Sequence, residues 1–521
     1  MVVCRVSFVL IVMVVILESP FSSSVETCTL QGKSRSSDYC HTKSFASHLS
    51  SISNSHNAPV HSDDAYKKEE SKTKEPSDGN CYSGTSCSRP DQRNHADKAA
   101  SVLVDTVADT SYSSNDPEQK VSDESNLPIA VWWYPFTYRS HVIKQCSFGK
   151  CLFTHNREKL QNPNTGAVLF YGSDIEWDDL PLPRRSDIYW ALLHDESPKN
   201  EWAFNHDNTI TLFNITSTFS RYSDVPLTTR FIKGLNWLRN PAVSLMEKKG
   251  GQRSAIAYVQ SSCHSPSDRE RYVKELMKYI QVDSLGSCFH NKDLPNDLAG
   301  TGKLDQPEFW QLMAKYKFTL AFENANCPDY TTEKLWRTLH LGSIPIYLGT
   351  NTAREWIPSN KSVIFTRDFS SPKELADYVT YLDKNDEEYL KYLQFKMEGG
   401  ITNKKLIDEL NHRAYSFYQS GNDFIQAFQC YVCDRMYQNF EAIRSGKGVL
   451  SQVANGSHYG CPRPFASLEN VVSRTEDFQL SYYQMAYEKA DFVGEAVQNM
   501  IAAGETDNSR FTEYFKQVQN L

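Results

Sequence analysis

The feature that most constrains the fold of this 521-residue chain is an alternation of short apolar runs with polar or amphipathic stretches. A first series of strand-like runs lies at residues 129–134, 168–171, 189–193 and 210–213. A second series lies at 256–259, 317–323, 344–348 and 363–365, with an amphipathic helix predicted over 269–280. Strands that alternate with helices predict parallel sheets covered by helices. We therefore predict an α/β fold.

The order of these runs also predicts the domain organisation. The two series separate near Gly250 and Gly251, which predicts two domains facing a cleft, at residues 127–250 and 251–440. Residues 22–126 are rich in Ser, Asp, Lys, Asn and His, and such composition buries too little apolar surface to offset the entropy of ordering. We predict a disordered stem there, and a helical C-terminal extension over 441–521.

The N-terminus indicates the compartment. Residues 6–17 are apolar or small and follow Arg5. As a helix they would span roughly 18 Å, short of the ~30 Å hydrocarbon core of a bilayer. Residues 1–21 are therefore either a cleaved signal peptide or a short signal anchor of a single-pass type II protein. Both alternatives place the rest of the chain in the secretory lumen, in the Golgi or the endoplasmic reticulum.

Cysteine usage agrees with an oxidising lumen. The even set of cysteines in the globular part of the chain indicates disulfide bonds: Cys146, Cys151, Cys263, Cys288, Cys327, Cys430, Cys433 and Cys461. Cys430 and Cys433 form a C-x-x-C pair, for which we favour a structural bridge over a redox or zinc site. The same compartment permits N-glycosylation of the sequons at Asn214, Asn360 and Asn455.

Net charge and hydropathy exclude two classes of protein. The net charge of −8 argues against a nucleic-acid partner, which would need clustered Lys and Arg. The sequence has no apolar run of eighteen residues, so a polytopic membrane protein is excluded. Membrane contact is expected only through the N-terminal segment, if that segment stays uncleaved.

Residues 317–349 predict a strand–loop–helix–strand unit. Asp329 or Thr331 is the predicted N-cap of the helix, and Gly342 its C-terminal glycine. Lys334 falls in the first turn, where a cation opposes the helix dipole. An anion bound at the helix N-terminus would explain the lysine, as would pairing with a carboxylate such as Glu333.

A second informative segment ends the strand at 189–193. Asp195 and Glu196 follow the strand and precede Pro198. Carboxylates at the carboxyl end of a parallel strand face the cleft, where one of them can take a proton from a hydroxyl nucleophile. The alternative without a catalytic role is a solvated bend. Neighbouring residues point to opposite faces, so only one of the two carboxylates is expected to act as the base.

The segment FENANCPDYTTEKLWR closely resembles the signature of the α1,3/4-fucosyltransferases of glycosyltransferase family 10. HDESP and LFNITSTFSRYSDVPL resemble the branch that contains vertebrate fucosyltransferases ten and eleven. The resemblance covers residues 128–440. It implies a GT-B fold, with two Rossmann-like domains and GDP-fucose bound mainly by the second. FENAN departs from the more frequent F-E-N-S, and Cys327 lies in the donor loop.

The resemblance also implies roles for individual residues. Glu196 would be the catalytic base, with Asp195 the less favoured alternative. Arg269 would hold the diphosphate, although Arg271 is close enough in register to be the equivalent residue. The remaining donor-binding residues implied by the motif are Asn324, Tyr330, Glu333 and Lys334.

The reaction implied is transfer of L-fucose from GDP-fucose to an acceptor hydroxyl with inversion. The branch favours Ser or Thr of a folded protein as acceptor, and the alternative is GlcNAc in N-glycans or lactosamine. A different class of function, an inactive lectin- or chaperone-like relative, is disfavoured by the intact residue set. The sequence has no D-x-D triplet, so we expect no obligatory metal and no other cofactor, with GDP-fucose as a co-substrate.

Overall fold

The computed structural model describes residues 124–136, 140–298, 301–414, 423–465 and 478–520. The predicted signal or anchor segment at 1–21, and the predicted stem up to residue 123, lie outside the described residues. The remaining chain is built around two sheets.

Six strands form the first sheet: β1 (Ile129–Trp132), β2 (His141–Gln145), β3 (Lys150–Thr154), β4 (Thr165–Tyr171), β5 (Tyr189–His194) and β6 (Ile215–Thr218). Their order is β2-β3-β1-β4-β5-β6, with β2 antiparallel to β3 and every other pair parallel. The central strands β1, β4 and β5 are almost wholly buried, as expected for parallel strands covered on both faces.

Five strands form the second sheet: β7 (Ile256–Tyr258), β8 (Val282–Ser284), β9 (Phe318–Phe322), β10 (Ile344–Leu348) and β11 (Ile364–Phe365). Their order is β11-β10-β9-β7-β8, and all pairs are parallel. The predicted GT-B type α/β fold, with two Rossmann-like sheets, is confirmed.

The helices of the described residues are, in chain order, α1 (Asp207–Ile210), α2 (Leu235–Leu238), α3 (Leu245–Lys249), α4 (Arg269–Leu276), α5 (Pro307–Ala314), α6 (Glu333–His340), α7 (Pro372–Lys384), α8 (Asp386–Lys391), α9 (Lys404–His412), α10 (Asp423–Arg444), α11 (Phe478–Ala502) and α12 (Phe511–Val518). Within the described part of the chain, no helix is both long enough and apolar enough to cross a bilayer.

The strand predicted at 210–213 is wrong. Ile210 ends α1, and the strand of this region begins five residues later, at Ile215. Ile210, Leu212 and Phe213 are all buried, which explains the apolar run. A buried helical turn and a buried strand give the same short apolar pattern, so periodicity does not separate them.

Helix α10 returns to the first sheet after the chain has completed the second. Phe428, Val432 and Met436 pack in the same core cluster as β1, β4 and β5. Two disulfides, Cys146–Cys430 and Cys151–Cys433, fasten the helix to the β2–β3 region. The cysteines of the C-x-x-C pair therefore both form structural bridges, each with a different partner. The predicted domain boundary at residue 440 falls inside α10 and stays a prediction.

The described part of the C-terminal extension contains the helices α11 and α12, preceded over residues 445–465 by mostly irregular chain, and α11 packs on the first domain. Asn208 Nδ2 donates to Asp491 Oδ1 at 3.1 Å, joining α1 to α11. Gly494 allows the two backbones to approach closely, because a Cβ there would lie 2.4 Å from the backbone of Asn208 and Thr209.

Candidate active site

The site lies where the strand order of the second sheet reverses. Strands β7 and β9 are neighbours, and their carboxyl ends lead into loops 259–268 and 323–332. Ser267 joins the two loops: its N–H donates to the Asn324 carbonyl at 3.1 Å, and its hydroxyl donates to the Glu323 carbonyl at 2.7 Å. Ligands of open α/β sheets bind in the crevice at such a switch point.

Arg269 enters this crevice from the start of α4. Its side chain is buried, and Nη1 donates to the Phe322 carbonyl at the end of β9, at 2.6 Å. Nε lies 3.2 Å from a carboxylate oxygen of Glu270. Arg271 instead pairs with Asp268, at 2.5 Å. Of the two candidate arginines, Arg269 is therefore the one that reaches the carboxyl end of β9.

The N-cap of α6 is Thr332, so the predicted caps are wrong. The Thr332 side chain accepts from the Lys334 N–H. Asp329 has a left-handed backbone (φ 65°) and forms an ion pair with Arg221. The Thr331 hydroxyl accepts from Trp336 Nε1 at 3.1 Å. Several residues of this loop are cap formers, and tertiary contacts decided which one caps the helix.

Lys334 lies between two carboxylates. Its Nζ is 3.0 Å from Glu333 Oε1 and 3.7 Å from Glu323 Oε2. Burial opposes the charge of Lys334, but the two carboxylates outweigh it and raise the pKa of Lys334. Burial likewise acts to raise the pKa of Glu333, but the charges of Lys334 and Arg337 bring that pKa to about 2. The helix therefore begins with a permanently charged acid–base pair.

Asn324 and Tyr330 lie in the loop that leads from β9 to α6. Asn324 Oδ1 is buried and has no hydrogen-bond partner among the described residues. Burial raises the pKa of Tyr330 well above its usual value, and the charges of Glu196, Glu323 and Glu333 act in the same direction. The phenol therefore stays protonated and is a hydrogen-bond donor at neutral pH.

Glu196 and Asp195 follow β5 and have different surroundings. Asp195 Oδ2 is 2.5 Å from Arg230 Nη1, and Asp195 Oδ1 accepts from the Tyr171 hydroxyl at 3.1 Å. The Glu196 carboxyl has no hydrogen-bond or ion-pair partner in the part of the chain that the structure describes. Asp195 is thus held in an ion pair, while Glu196 is free to take a proton.

Burial raises the pKa of Glu196 from 4.5 to about 7. The charge of Asp195 adds to the rise, whereas the charge of Lys334 opposes it. The predicted base, from the first domain, and the predicted cation, from the second, are therefore close enough to interact electrostatically. A carboxyl group with a pKa near the working pH is suited to general base catalysis.

The structure also brings together residues that the sequence reasoning missed. Glu323 is fully buried and accepts from the Thr332 N–H and hydroxyl, both at 2.8 Å. Arg230 holds Asp195. Lys199 Nζ donates to the Ser262 hydroxyl and the His264 carbonyl, at 2.6 and 2.7 Å. Burial and the charge of Arg269 lower the pKa of Lys199. A glutamate at the end of an apolar strand was the available signal for Glu323.

The three sequons differ in accessibility. Asn360 and Asn455 are exposed. The Asn214 amide is engaged on both sides: Nδ2 donates to the Gln452 carbonyl at 2.7 Å, and Oδ1 accepts from Trp190 and Arg184, each at 2.9 Å. A glycan on Asn214 would displace these contacts. Glycosylation at the other two sites stays a prediction.

Among the described residues, no three His, Cys, Asp or Glu side chains are grouped so that they could hold a metal ion. The expectation of a metal-independent site stays a prediction.

Two family models match the chain. The model described as glycosyltransferase family 10 (fucosyltransferase) C-term matches residues 249–449, and the model described as fucosyltransferase, N-terminal matches residues 124–229. The chain therefore belongs to glycosyltransferase family 10, the fucosyltransferases.

Curated relatives show which members of the family this chain is similar to. GDP-fucose protein O-fucosyltransferase 3 of Xenopus laevis is 46% identical over 346 residues, covering 66% of this chain and 74% of the relative. The protein of that name from Homo sapiens is 43% identical over 344 residues, covering 65% and 72%. A crystal structure of an α1,3-fucosyltransferase with GDP-fucose is 19% identical, covers 61% of this chain and 93% of that chain, and superposes with a TM-score of 0.36.

Proposed function

We propose that the chain transfers L-fucose from GDP-fucose to a Ser or Thr hydroxyl of a folded protein, with inversion at the anomeric carbon. Family membership supports the reaction, and relatives named GDP-fucose protein O-fucosyltransferase 3 support the protein acceptor. The observation that carries the proposal is the convergence of Glu196 with Lys334 and Arg269. The charge of Lys334 acts on the pKa of Glu196, and the charge of Arg269 acts on that of Lys334.

The chemistry follows from these positions. Glu196 takes the proton of the acceptor hydroxyl as its oxygen bonds to C1 of fucose. The bond between C1 and the phosphate oxygen breaks at the same time, and GDP leaves with the electron pair. Arg269 and Lys334 stabilise the negative charge that develops on the diphosphate. One displacement converts the β-linked donor into an α-fucoside, so the enzyme needs only one catalytic carboxylate.

Three kinds of side chain are available to form hydrogen bonds with the donor: a carboxylate, a phenol and an amide. The pKa of about 2 keeps Glu333 ionised, so it can accept hydrogen bonds from sugar or ribose hydroxyls. Tyr330 supplies a donor, and the orphaned Asn324 Oδ1 can accept from a ligand hydroxyl. We propose that side-chain cations and the α6 N-terminus serve as counter-charge, with no obligatory metal or other cofactor.

We further propose that the protein works in the lumen of the secretory pathway, in the Golgi or endoplasmic reticulum. Four disulfides within the described residues require an oxidising compartment. The apolar segment at 6–17 supplies a targeting signal, and if uncleaved it anchors the protein in the membrane as a type II protein.

Replacing Glu196 with Gln tests the catalytic assignment, because the amide keeps the shape and cannot take the proton. We expect fucose transfer to fall at least ~100-fold while GDP binding stays within about twofold of wild type. Glu495→Gln, an exposed position on α11, is the matched control and should leave both unchanged. Transfer by Glu196→Gln at the wild-type rate would remove Glu196 from its role.

The acceptor is tested by offering labelled GDP-fucose with folded protein domains and, separately, with glycoproteins that carry N-glycans. We expect label on the protein that resists peptide:N-glycosidase and is released by alkaline β-elimination, as an O-linked sugar is. Label that peptide:N-glycosidase removes would instead establish the N-glycan alternative.

A further inference from the structure

The polypeptide beyond the family match contributes to the site. The C-terminal family model ends at residue 449, and residues 454–461, here called the latch, run from there along β6. The Ala454 N–H donates to the Phe213 carbonyl at 2.9 Å. The Thr218 hydroxyl donates to the His458 carbonyl at 2.5 Å, and the Ser220 hydroxyl donates to the Ser457 carbonyl at 2.7 Å.

The latch reaches the catalytic carboxylate through Tyr459. This side chain is fully buried, and its hydroxyl donates to the Glu196 carbonyl at 3.0 Å. Burial raises the pKa of Tyr459 well above its usual value, with the charges of Glu201 and Glu196 adding to the rise, so the phenol stays a donor. Among the described residues, no other side chain donates a hydrogen bond to the Glu196 carbonyl.

The same segment is fastened to the donor loop. Tyr459 packs on Phe219 with ring centroids 4.8 Å apart, and Phe219 packs edge-on against Tyr330 at 5.1 Å. Two residues beyond Tyr459, Cys461 forms a disulfide with Cys327, in the loop that carries Asn324 and Tyr330. The latch therefore touches both the base and the donor-binding loop, which come from different sheets.

We propose that the latch is a positioning element of the active site: Tyr459 fixes the backbone of Glu196, and the Cys327–Cys461 disulfide fixes the donor loop relative to it. This inference rests on the proposed function. A displacement needs the acceptor oxygen and C1 aligned within a fraction of an ångström, and a link between the two loops supplies that alignment. Tyr459 is fully buried and acts through Glu196, so it is a positioning residue and not a catalytic one.

Tyr459→Phe removes the hydroxyl and keeps the ring contacts. We expect kcat to fall about fivefold to tenfold, with the KM for GDP-fucose and the melting temperature nearly unchanged, because one hydrogen bond to Glu196 is lost. The matched control is Tyr437→Phe on α10, which removes a phenol–carbonyl hydrogen bond to Lys150 of 2.9 Å length on the first sheet. Equal kcat values for the two variants would overturn the proposal.

The disulfide is tested by the pair Cys327→Ser and Cys461→Ser, with Cys146→Ser and Cys430→Ser as the control pair. We expect the first pair to raise the KM for GDP-fucose and lower kcat. When this pair is combined with Tyr459→Phe, the fold-loss in kcat should be smaller than the product of the separate fold-losses, because both changes act through the latch. Full multiplicativity of the effects would contradict a shared latch.

Hydrogen–deuterium exchange separates this inference from the proposed function. In Tyr459→Phe, amides of residues 192–199 should exchange faster than in wild type, and Tyr437→Phe should leave them unchanged. This readout needs no turnover. Wild-type protein without transferase activity would defeat the proposed function while exchange still reports the contact between the latch and Glu196, whereas unaltered exchange in Tyr459→Phe would defeat the latch proposal even if wild type is active.

Discussion

The raised pKa of Glu196 makes a prediction about the pH dependence of fucose transfer. Only the ionised carboxylate can take the acceptor proton, so kcat/KM should rise with pH until Glu196 is fully ionised. With a pKa of about 7, the plateau is reached only above neutrality. At pH 6 about a tenth of the enzyme would carry the active carboxylate, and at pH 5 about a hundredth.

The assay is kcat/KM for the acceptor at saturating GDP-fucose, measured from pH 5 to pH 9 at constant ionic strength. A base with the ordinary pKa of 4.5 would be almost fully active at pH 6. The expected ratio between pH 8 and pH 6 is therefore about tenfold for the raised pKa, against nearly one for the ordinary value. A flat profile across this range would refute the burial argument.

Substitutions in the Asp195–Arg230 ion pair test how neighbouring charges set the pKa of Glu196. The charge of Asp195 raises the pKa of Glu196, and the charge of Arg230 lowers it. Asp195→Asn should therefore move the acid limb of the pH profile down by roughly one pH unit, and Arg230→Gln should move it up by a smaller amount, because Arg230 has the weaker influence on this pKa. Burial is the largest cause, so the limb in Asp195→Asn should stay above 4.5.

Opposite shifts from the two partners distinguish electrostatic tuning from simple structural damage. If both residues only held the loop in shape, each variant would lose activity at every pH and the limb would not move. Limbs that shift in the same direction, or not at all, would refute the reasoning.

Further predictions concern the donor, the metal and the donor loop. Lys334→Met should raise the KM for GDP-fucose at least ~10-fold, because a charged contact to phosphate is lost. Lys404→Met, at an exposed position, is the control. Equal KM values for GDP-fucose in the two variants would contradict the diphosphate role of Lys334. EDTA should change activity less than about twofold, and loss restored by Mn²⁺ would contradict the metal prediction. Arg221→Met strands the buried Asp329 carboxylate and should lower the unfolding free energy by ~3 kcal/mol. Arg354→Met is the comparison: it should lower the unfolding free energy by under ~1 kcal/mol, because its partner Asp368 is half exposed. Denaturant titrations measure both values.

Local patterns in the sequence were enough to predict most strands and the β9–α6–β10 unit. Gly342 ends α6 with a positive φ of 66°, as its sequence position predicted. The cap was not predictable in the same way, because Asp329, Thr331 and Thr332 are all suitable cap residues. Arg221, more than a hundred residues earlier, takes Asp329 as its ion-pair partner, and that long-range contact has no local signal.

The candidate active site likewise combines features that local sequence predicted with features that long-range contacts set. Asp195 and Glu196 are equivalent by local pattern, since both are acids that follow one buried strand, and the family resemblance alone favoured Glu196. The physical difference between them is visible only in the folded chain, where Arg230 and Tyr171 contact Asp195 and leave the Glu196 carboxyl free. Arg269 and Arg271 separate likewise, because Asp268 pairs with only one of them.

The sequence by itself determined the α/β class, the family and the chemical types that the site employs, because these depend on periodicity and on motifs of short span. Only the tertiary structure decided which carboxylate is free, how the cysteines pair and that Tyr459 contacts Glu196. Those outcomes depend on residues that are distant along the chain and adjacent in space, where burial and neighbouring charge set their chemistry.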